Sequence, residues 1–552
     1  MKRQPTRRSH RRGSLLLAVL VMIALLAVAN LAYFDWTFTE RVASDAAARQ
    51  AQARASAESG VEFLKVYLSA DRATIDQDGG LVDNPQRFQG VTIEDGGAPE
   101  LLSRFSIVAP RLDYGGFVGA RFGLEDESAR LNLNRLVVAD ARDEGVGQDV
   151  LMFLPGMTES IADAILDWID EDDEPRTLGA EIDYYSSLTP GYLPQNGPIE
   201  SLEQLLRVRD VTPQLLWGVD QNRNFIAEPE EIEANQFTTL DNTDGSMNLG
   251  WAAYFTTHSA ESNLTDEGLP KINLNADDLE TLHGELAETL GEAEANFIIA
   301  YRQGGPEETD DEDSFDGPGG GQDGGQDGGQ GGAPTGGGQP TDIKDADEIK
   351  IDFGAPASVS IESLLDLVGV RARTVELDGV TETLVESPFT DSASDMQSYL
   401  PLLYGQCALS DEPSTPGRLN INQAPEALLY GVPGMPPQAV EAILGNRNFS
   451  SQPQGVERSH PAWILTEGYV TLEEMREMGP YLTAGGDVYR AQVVGSWGGP
   501  GPTARLEVVL DTTATPPRIV VRRDLTALGA GYSVEQLGDV TLAPPAAGSP
   551  IP

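Results

Sequence analysis

The chain has 552 residues, 37 of them Lys or Arg and 87 Asp or Glu, for a net charge of −50. Its length and 40% apolar content are enough for several buried cores, and its acidity argues against nucleic acid or an anionic membrane surface as a partner. The one cysteine, Cys407, excludes an internal disulfide and reads as a small buried apolar residue.

Residues 1–13 form a basic leader (Lys2, Arg3, Arg7, Arg8, Arg11, Arg12) ending at Gly13. The uncharged run from Leu15 to Phe34 is long enough to cross ~30 Å of hydrocarbon as a helix. No Gly or Pro stands between Ser14 and Ser59, so residues 14–68 are expected to form one helix, half in lipid and half in water. With the basic residues all before the span, the leader stays cytoplasmic and the remainder is exported. Ala27-Val28-Ala29 leaves a cleaved signal peptide open, and a plain signal anchor is a second reading. Arg11-Arg12-Gly13 at the membrane edge resembles a prepilin-type leader, which prepilin peptidase would cut between Gly13 and Ser14.

Residues 69–100 read as loop with short elements, and residues 101–124 as a β-hairpin around Gly115-Gly116. Near the other end, Tyr489 to Trp497, Ala504 to Leu510 and Arg518 to Arg522 are three strand-like runs. Leu506, Val508 and Leu510 alternate with polar positions, which predicts one wet face. The Pro- and Ala-rich tail from Ala543 is expected to be disordered.

Between these β segments the chain repeats itself. Leu131-Asn132-Leu133-Asn134, Ile272-Asn273-Leu274-Asn275 and Leu419-Asn420-Ile421-Asn422 share one signature. Each leads toward paired helical patterns, through Leu154-Pro155-Gly156-Met157 in the first copy and Val432-Pro433-Gly434-Met435 in the last, with no Pro-Gly in the middle one. Acidic helix starts follow at Ser201, Ser360 and Thr471. These are expected to be helix-hairpin-helix units spanning 131–209, 272–368 and 419–482, with the Asn pair capping each entry. The second is interrupted by an acidic Gly-rich insert, 303–342, expected to be disordered. A membrane-anchored DNA-uptake module is the alternative use of such units. It would need a basic hairpin face, and Glu159, Asp163, Asp167 and Glu441 make this one acidic.

The run Asp167-Trp168-Ile169-Asp170-Glu171-Asp172-Asp173, with Gly179-Ala180-Glu181, Tyr184-Tyr185, Tyr192 and Asn196-Gly197-Pro198, resembles the minor pseudopilin K family of type II secretion systems. Leu419 to Asn422, the Val432 to Met435 turn and Glu58 to Glu62 resemble it too. The resemblance runs in order over most of residues 11–524. It implies an α+β pseudopilin fold, a long N-terminal transmembrane helix on a small antiparallel sheet with a large inserted α-helical domain. The implied division is leader 1–13, helix 14–68, first α/β part 69–125, inserted domain 126–482, C-terminal strands 483–530 and tail 531–552.

The resemblance also implies a single-pass protein of the inner membrane with its large C-terminal part in the periplasm. There it would form the tip of a pseudopilus with two other minor pseudopilins above the major pseudopilin, driving export of folded proteins across the outer membrane. Other pseudopilins carry Glu as the fifth mature residue, whereas cleavage after Gly13 would put Ala18 there. A subunit without that carboxylate has nothing to offer the N-terminal amine of a subunit above it. Three signatures instead of two, the acidic insert and Ser14 as first mature residue depart from the family.

Calcium is the expected cofactor, at two candidate sites. Asp220, Asn222, Asn224 and Glu231 have calcium-loop spacing, with Phe225 where Gly is usual and Pro229 inside. Asp170, Asp172, Asp173 and Glu181 form the second, in the acidic stretch that resembles the family. No nucleophile, zinc or phosphate-loop signature is present, and His10, His258, His283 and His460 are scattered, so no enzyme is expected.

Overall fold

The computed structural model describes residues 12–95, 97, 102–113, 116–142, 145–237, 240–307, 343–375, 382–447, 458–498 and 501–538. The leader before Arg12, the tail beyond 538 and almost all of the insert lie outside them. Of the insert's acidic cluster only Glu307 is described, its amide donating to the Arg371 carbonyl at 2.8 Å.

Helix α1 runs unbroken from Arg12 to Tyr67. Its N-terminal part is fully exposed and is the single described helix long and apolar enough to cross a membrane. From Ala53 onward a stripe of Ala53, Ala57, Val61, Leu64 and Leu68, spaced three or four apart, is buried against a sheet. The contact depends on bare backbone. A Cβ on Gly60 would stand 2.5 Å from Val493, and one on Gly495 would stand 2.2 Å from the Ala53 carbonyl oxygen. Ion pairs from Arg54 to Asp524, at 2.8 Å, and from Arg522 to Glu58 hold the crossing at its margin.

The sheet contains β1 (Val91–Asp95), β2 (Leu102–Asp113), β3 (Gly116–Phe122), β4 (Glu125–Asp126), β5 (Val488–Trp497), β6 (Thr503–Asp511) and β7 (Arg518–Asp524). Its main order is β1-β2-β5-β6-β7, with β3 on β2, β4 on β5 and every pairing antiparallel. The expected hairpin is thus β2–β3. The expected wet face on β6 is not: Arg505, Glu507 and Val509 are as buried as Leu506, Val508 and Leu510. Residues 220–225 and the segment around Tyr532 and Leu537 cover that face. Alternating exposure falls on β7 instead.

Between β4 and β5 the chain enters a helical region with one continuous core. Each Leu-Asn-x-Asn signature opens as a two-residue parallel bridge to a distant dipeptide: Leu131–Asn132 to Phe255–Thr256, Ile272–Asn273 to Cys407–Ala408, Leu419–Asn420 to Leu482–Thr483. The expected cap forms in the first unit alone, where Asn132 stands just before the helix Leu133–Arg142 and accepts from the amide of its second residue; the helices of the other two units start only at Leu279 and Glu426. The first Asn of each accepts from the amide two residues on, at 2.9–3.2 Å. The second reaches across the unit. Asn134 exchanges two hydrogen bonds with the Ile199 backbone and Asn275 two with Ile361. Asn422 donates to the Ala484 carbonyl and accepts from the Trp463 indole N–H.

In the first unit α2 (Leu133–Arg142) and α3 (Val146–Met152) precede the Pro-Gly turn, where Gly156 takes φ +72°, and α4 (Glu159–Ile169) follows it. Gly434 does the same at φ +74° before the helix Pro437–Asn446. The middle unit joins helices 279–289 and 292–304 through Gly291. The capped starts after Ser201 and in the middle unit are 3-10 turns, and the middle cap is Ser363 with Asp366 rather than Ser360. Thr471 and Glu474 form a true capping box.

Candidate functional site

Helix α4 starts at an N-cap, Thr158, whose hydroxyl accepts from the Ile161 amide at 3.3 Å. Asp163, Asp167 and Asp170, spaced four and three apart, share one buried face of α4 and its C-cap. A buried carboxylate needs donors, and the loop after α4 folds back to supply them. Asp163 accepts from Gln148 at 2.6 Å and from the Leu178 amide at 2.9 Å. Asp167 accepts from the Ala180 amide at 2.7 Å and from the Arg176 guanidinium at 2.9 Å. Arg176 also reaches Asp170 at 2.5 Å and Asp140 at 3.1 Å. Trp168, Tyr184, Tyr185 and Tyr192 pack behind this turn with ring centres 5.1–6.3 Å apart, edge to face except for the tilted Tyr185–Tyr192 pair.

Three carboxylate oxygens of this turn are buried without a hydrogen-bond partner: Asp170 Oδ1 and both oxygens of Glu181, a residue 3% exposed. Burial, then the charges of Asp167, Asp170, Asp173 and Asp172, pushes the Glu181 carboxyl up to about 7. Burial likewise pushes Asp170 up to about 6 against the pull of Arg176. Asp172 accepts from the Glu174 amide at 2.8 Å, and Asp173 from the Asn196 side-chain amide at 2.8 Å. Asn196 sits at φ +44° with its own Oδ1 buried and unpartnered.

The predicted set Asp170, Asp172, Asp173 and Glu181 therefore occupies one turn, and Asn196 joins it as an oxygen donor that spacing did not reveal. As arranged, no three His, Cys, Asp or Glu side chains among the described residues converge into a metal-holding group. Arg176 stands among the carboxylates instead. The donors are all hard oxygens, the type that calcium takes, and Asp170 Oδ1 and the two Glu181 oxygens are the ones left without a hydrogen bond.

The second predicted set lies in a loop closed by its own hydrogen bonds. Asp220 accepts from the amides of Asn224 at 3.1 Å and Phe225 at 2.8 Å, and burial pushes it up to about 6. Glu231 accepts from the amides of Gln221 at 3.0 Å and Asn222 at 3.1 Å. Phe225 does take the left-handed conformation that usually calls for Gly, at φ +66°, and Pro229 opens the helix Pro229–Ala234 rather than breaking the loop. Asn224 accepts from the Ile226 amide at 2.8 Å, and Asn222 Oδ1 is the one predicted ligand atom left buried and unpartnered there. Buried Arg505 on β6 donates to the Asn222 and Arg223 carbonyls at 3.0 and 2.6 Å, tying the loop to the sheet.

Of the processing and assembly residues, Gly13 lies in the first turn of α1, followed by Ser14, and Ala18 is exposed further along it. The described histidines are apart: His283 bonds Asn296 at 2.9 Å, and His460 stacks on Tyr404.

Residues 129–219, which carry the first Leu-Asn signature, the Pro-Gly turn and the whole acidic turn, match the family model described as type II secretion system, protein K. No curated protein matches the chain. Among solved structures, it is similar to a chain of the GspK-GspI-GspJ complex of the enterotoxigenic Escherichia coli type 2 secretion system. That likeness has 10% identity and a TM-score of 0.34, and covers 88% of this chain and 98% of the other.

Proposed function

We propose, from the protein K region at residues 129–219 carried on a stalk helix and an antiparallel sheet, that this chain is a minor pseudopilin of a type II secretion system. The region match is the observation that carries the reading. The exposed apolar part of α1 serves as a single-pass anchor in the inner membrane, with the sheet and helical region in the periplasm. Prepilin peptidase removes residues 1–13. The subunit joins two other minor pseudopilins at the tip of the pseudopilus, above the major pseudopilin. The helical units act as helix-hairpin-helix modules for protein contact, their acidic faces unsuited to nucleic acid. Calcium binds at Asp170, Asp172, Asp173 and Glu181 with help from Asn196, and Arg176 swings aside to admit it. The loop from Asp220 to Glu231 is the second calcium site.

The test is deletion of the gene with tracking of the secreted proteins. Expected is loss of secretion, with the cargo left folded in the periplasm, and restoration by the intact chain. Mass spectrometry should find a mature N-terminus at Ser14. Native protein spaced along the fibre would overturn the tip assignment. Ala18→Glu should permit incorporation along the shaft or stall assembly.

A further inference from the structure

The three helical units meet around an open cavity of about 690 Å³. One wall is α2. Its Arg135, Val138, Ala139 and Arg142, at i, i+3, i+4 and i+7, form a single stripe toward the cavity, while Leu133 and Leu136 enter the core. Val138 is 49% exposed, a large apolar side chain left uncovered in mid-stripe. Neither Arg135 nor Arg142 has an ion-pair partner among the described residues, and both are exposed. Lys271 and Arg418 stand on the facing walls, Lys271 donating to the Tyr404 carbonyl at 2.8 Å and Arg418 paired with Glu261 at 3.6 Å. Four cations thus face two carboxylates, Glu261 and Glu362, in a chain whose net charge is −50. The stripe is also held in place: the Arg135 stem crosses Gly417, where a Cβ would stand 2.2 Å from Arg135 Cγ.

We propose that this cavity docks an acidic segment of a partner polypeptide. One apolar side chain of the segment lies over Val138, and two of its carboxylates meet Arg135 and Arg142. Charge complementarity selects the occupant, because the cavity is a cationic island on a strongly acidic molecule. Spacing sets the motif. Seven helical residues rise about 10 Å; in an extended peptide side chains share a face at every second residue, and a four-residue spacing, with the long Arg and Glu side chains taking up the difference, spans that reach. The recognised pattern is therefore two acidic residues four apart with an apolar residue midway, all three on one face.

The experiment uses the full chain in detergent and a fluorescein-labelled Gly-Ser-Glu-Ala-Leu-Ala-Glu-Ser-Gly peptide, read by fluorescence anisotropy at low and high salt. Expected is saturable binding that weakens with salt and falls at least about tenfold in Arg135→Glu/Arg142→Glu. It should fall similarly in Val138→Glu, with the melting temperatures of both variants unchanged. A control peptide with Gln for both Glu should not bind, and one with Ser for Leu should bind more weakly. Absence of binding, or equal binding by the charge-reversed variant, overturns the proposal. Equal binding of the Ser control reduces the cavity to a plain anion site and also overturns it. Binding seen only after deletion of residues 309–341 assigns the cavity to the chain's own acidic insert and overturns a partner as occupant.

Discussion

Glu181 is the residue on which the proposed cation site rests most directly. A carboxylate that is 3% exposed with neither oxygen hydrogen-bonded is costly unless something cationic arrives or a proton stays on. With calcium bound to the folded state alone, the full chain in detergent is expected to melt a few degrees higher in millimolar calcium than in chelator. Glu181→Gln should remove most of that shift. A shift unchanged in both Glu181→Gln and Asp220→Ala, followed by differential scanning calorimetry, would reject both calcium sites. Asp126, which belongs to neither set, supplies a pH test. It accepts from the amides of Ser128 and Gly486 and from Asn420, yet burial outweighs these bonds and pushes it up to about 6. A carboxyl raised on folding stabilises most when protonated, and that contribution is lost as pH rises through about 6. The melting temperature of the native chain minus that of Asp126→Asn should therefore shrink between about pH 4 and pH 7. A constant or growing difference contradicts the assignment.

At the scale of elements, the contact between α1 and the sheet hangs on Gly495. Gly495→Ala puts a methyl group into the Ala53 and Ala57 backbone, and is expected to cost about 2 kcal/mol or more by denaturant unfolding. Asn134→Ala removes two bonds to Ile199 and should cost about 2 kcal/mol by the same measurement. Much of the architecture could be read from residue order. The absence of Gly and Pro gave α1, alternation gave β2, β3 and β5–β7, and the Asn signatures marked three equivalent starting points. Alternation misled on β6, since a polar residue at every second position looks the same whether water or Arg490 and Arg523 meets Glu507. The closing dipeptides Phe255–Thr256, Cys407–Ala408 and Leu482–Thr483 share no signature, because a two-residue parallel bridge asks little of side chains. The acidic turn was legible as a cluster. Arg176 at its centre and the unpaired Asn196 oxygen were not, since both depend on how the loop after α4 folds back.

For the whole molecule, removing one α2 charge pair should leave secretion-related assembly and docking separable. Arg135→Glu/Arg142→Glu is expected to copurify normally with the two partners of the proposed tip complex while losing the acidic peptide. The way the helical region joins the sheet has a further consequence. The strand that leads into it, β4, and the strand that follows it, β5, are hydrogen-bonded neighbours, Asp126 opposite Tyr489 and Glu125 opposite Arg490. Departure and return thus occur at one doorway, and the region between touches the sheet again through the Asn222 and Arg223 carbonyls on Arg505 and through Glu203 on Arg523. A change in the number of helical units can therefore leave the pairing of β4 with β5, and its register, as it is. A third unit can be added to such a head as a room is added to a house, through a door that already exists.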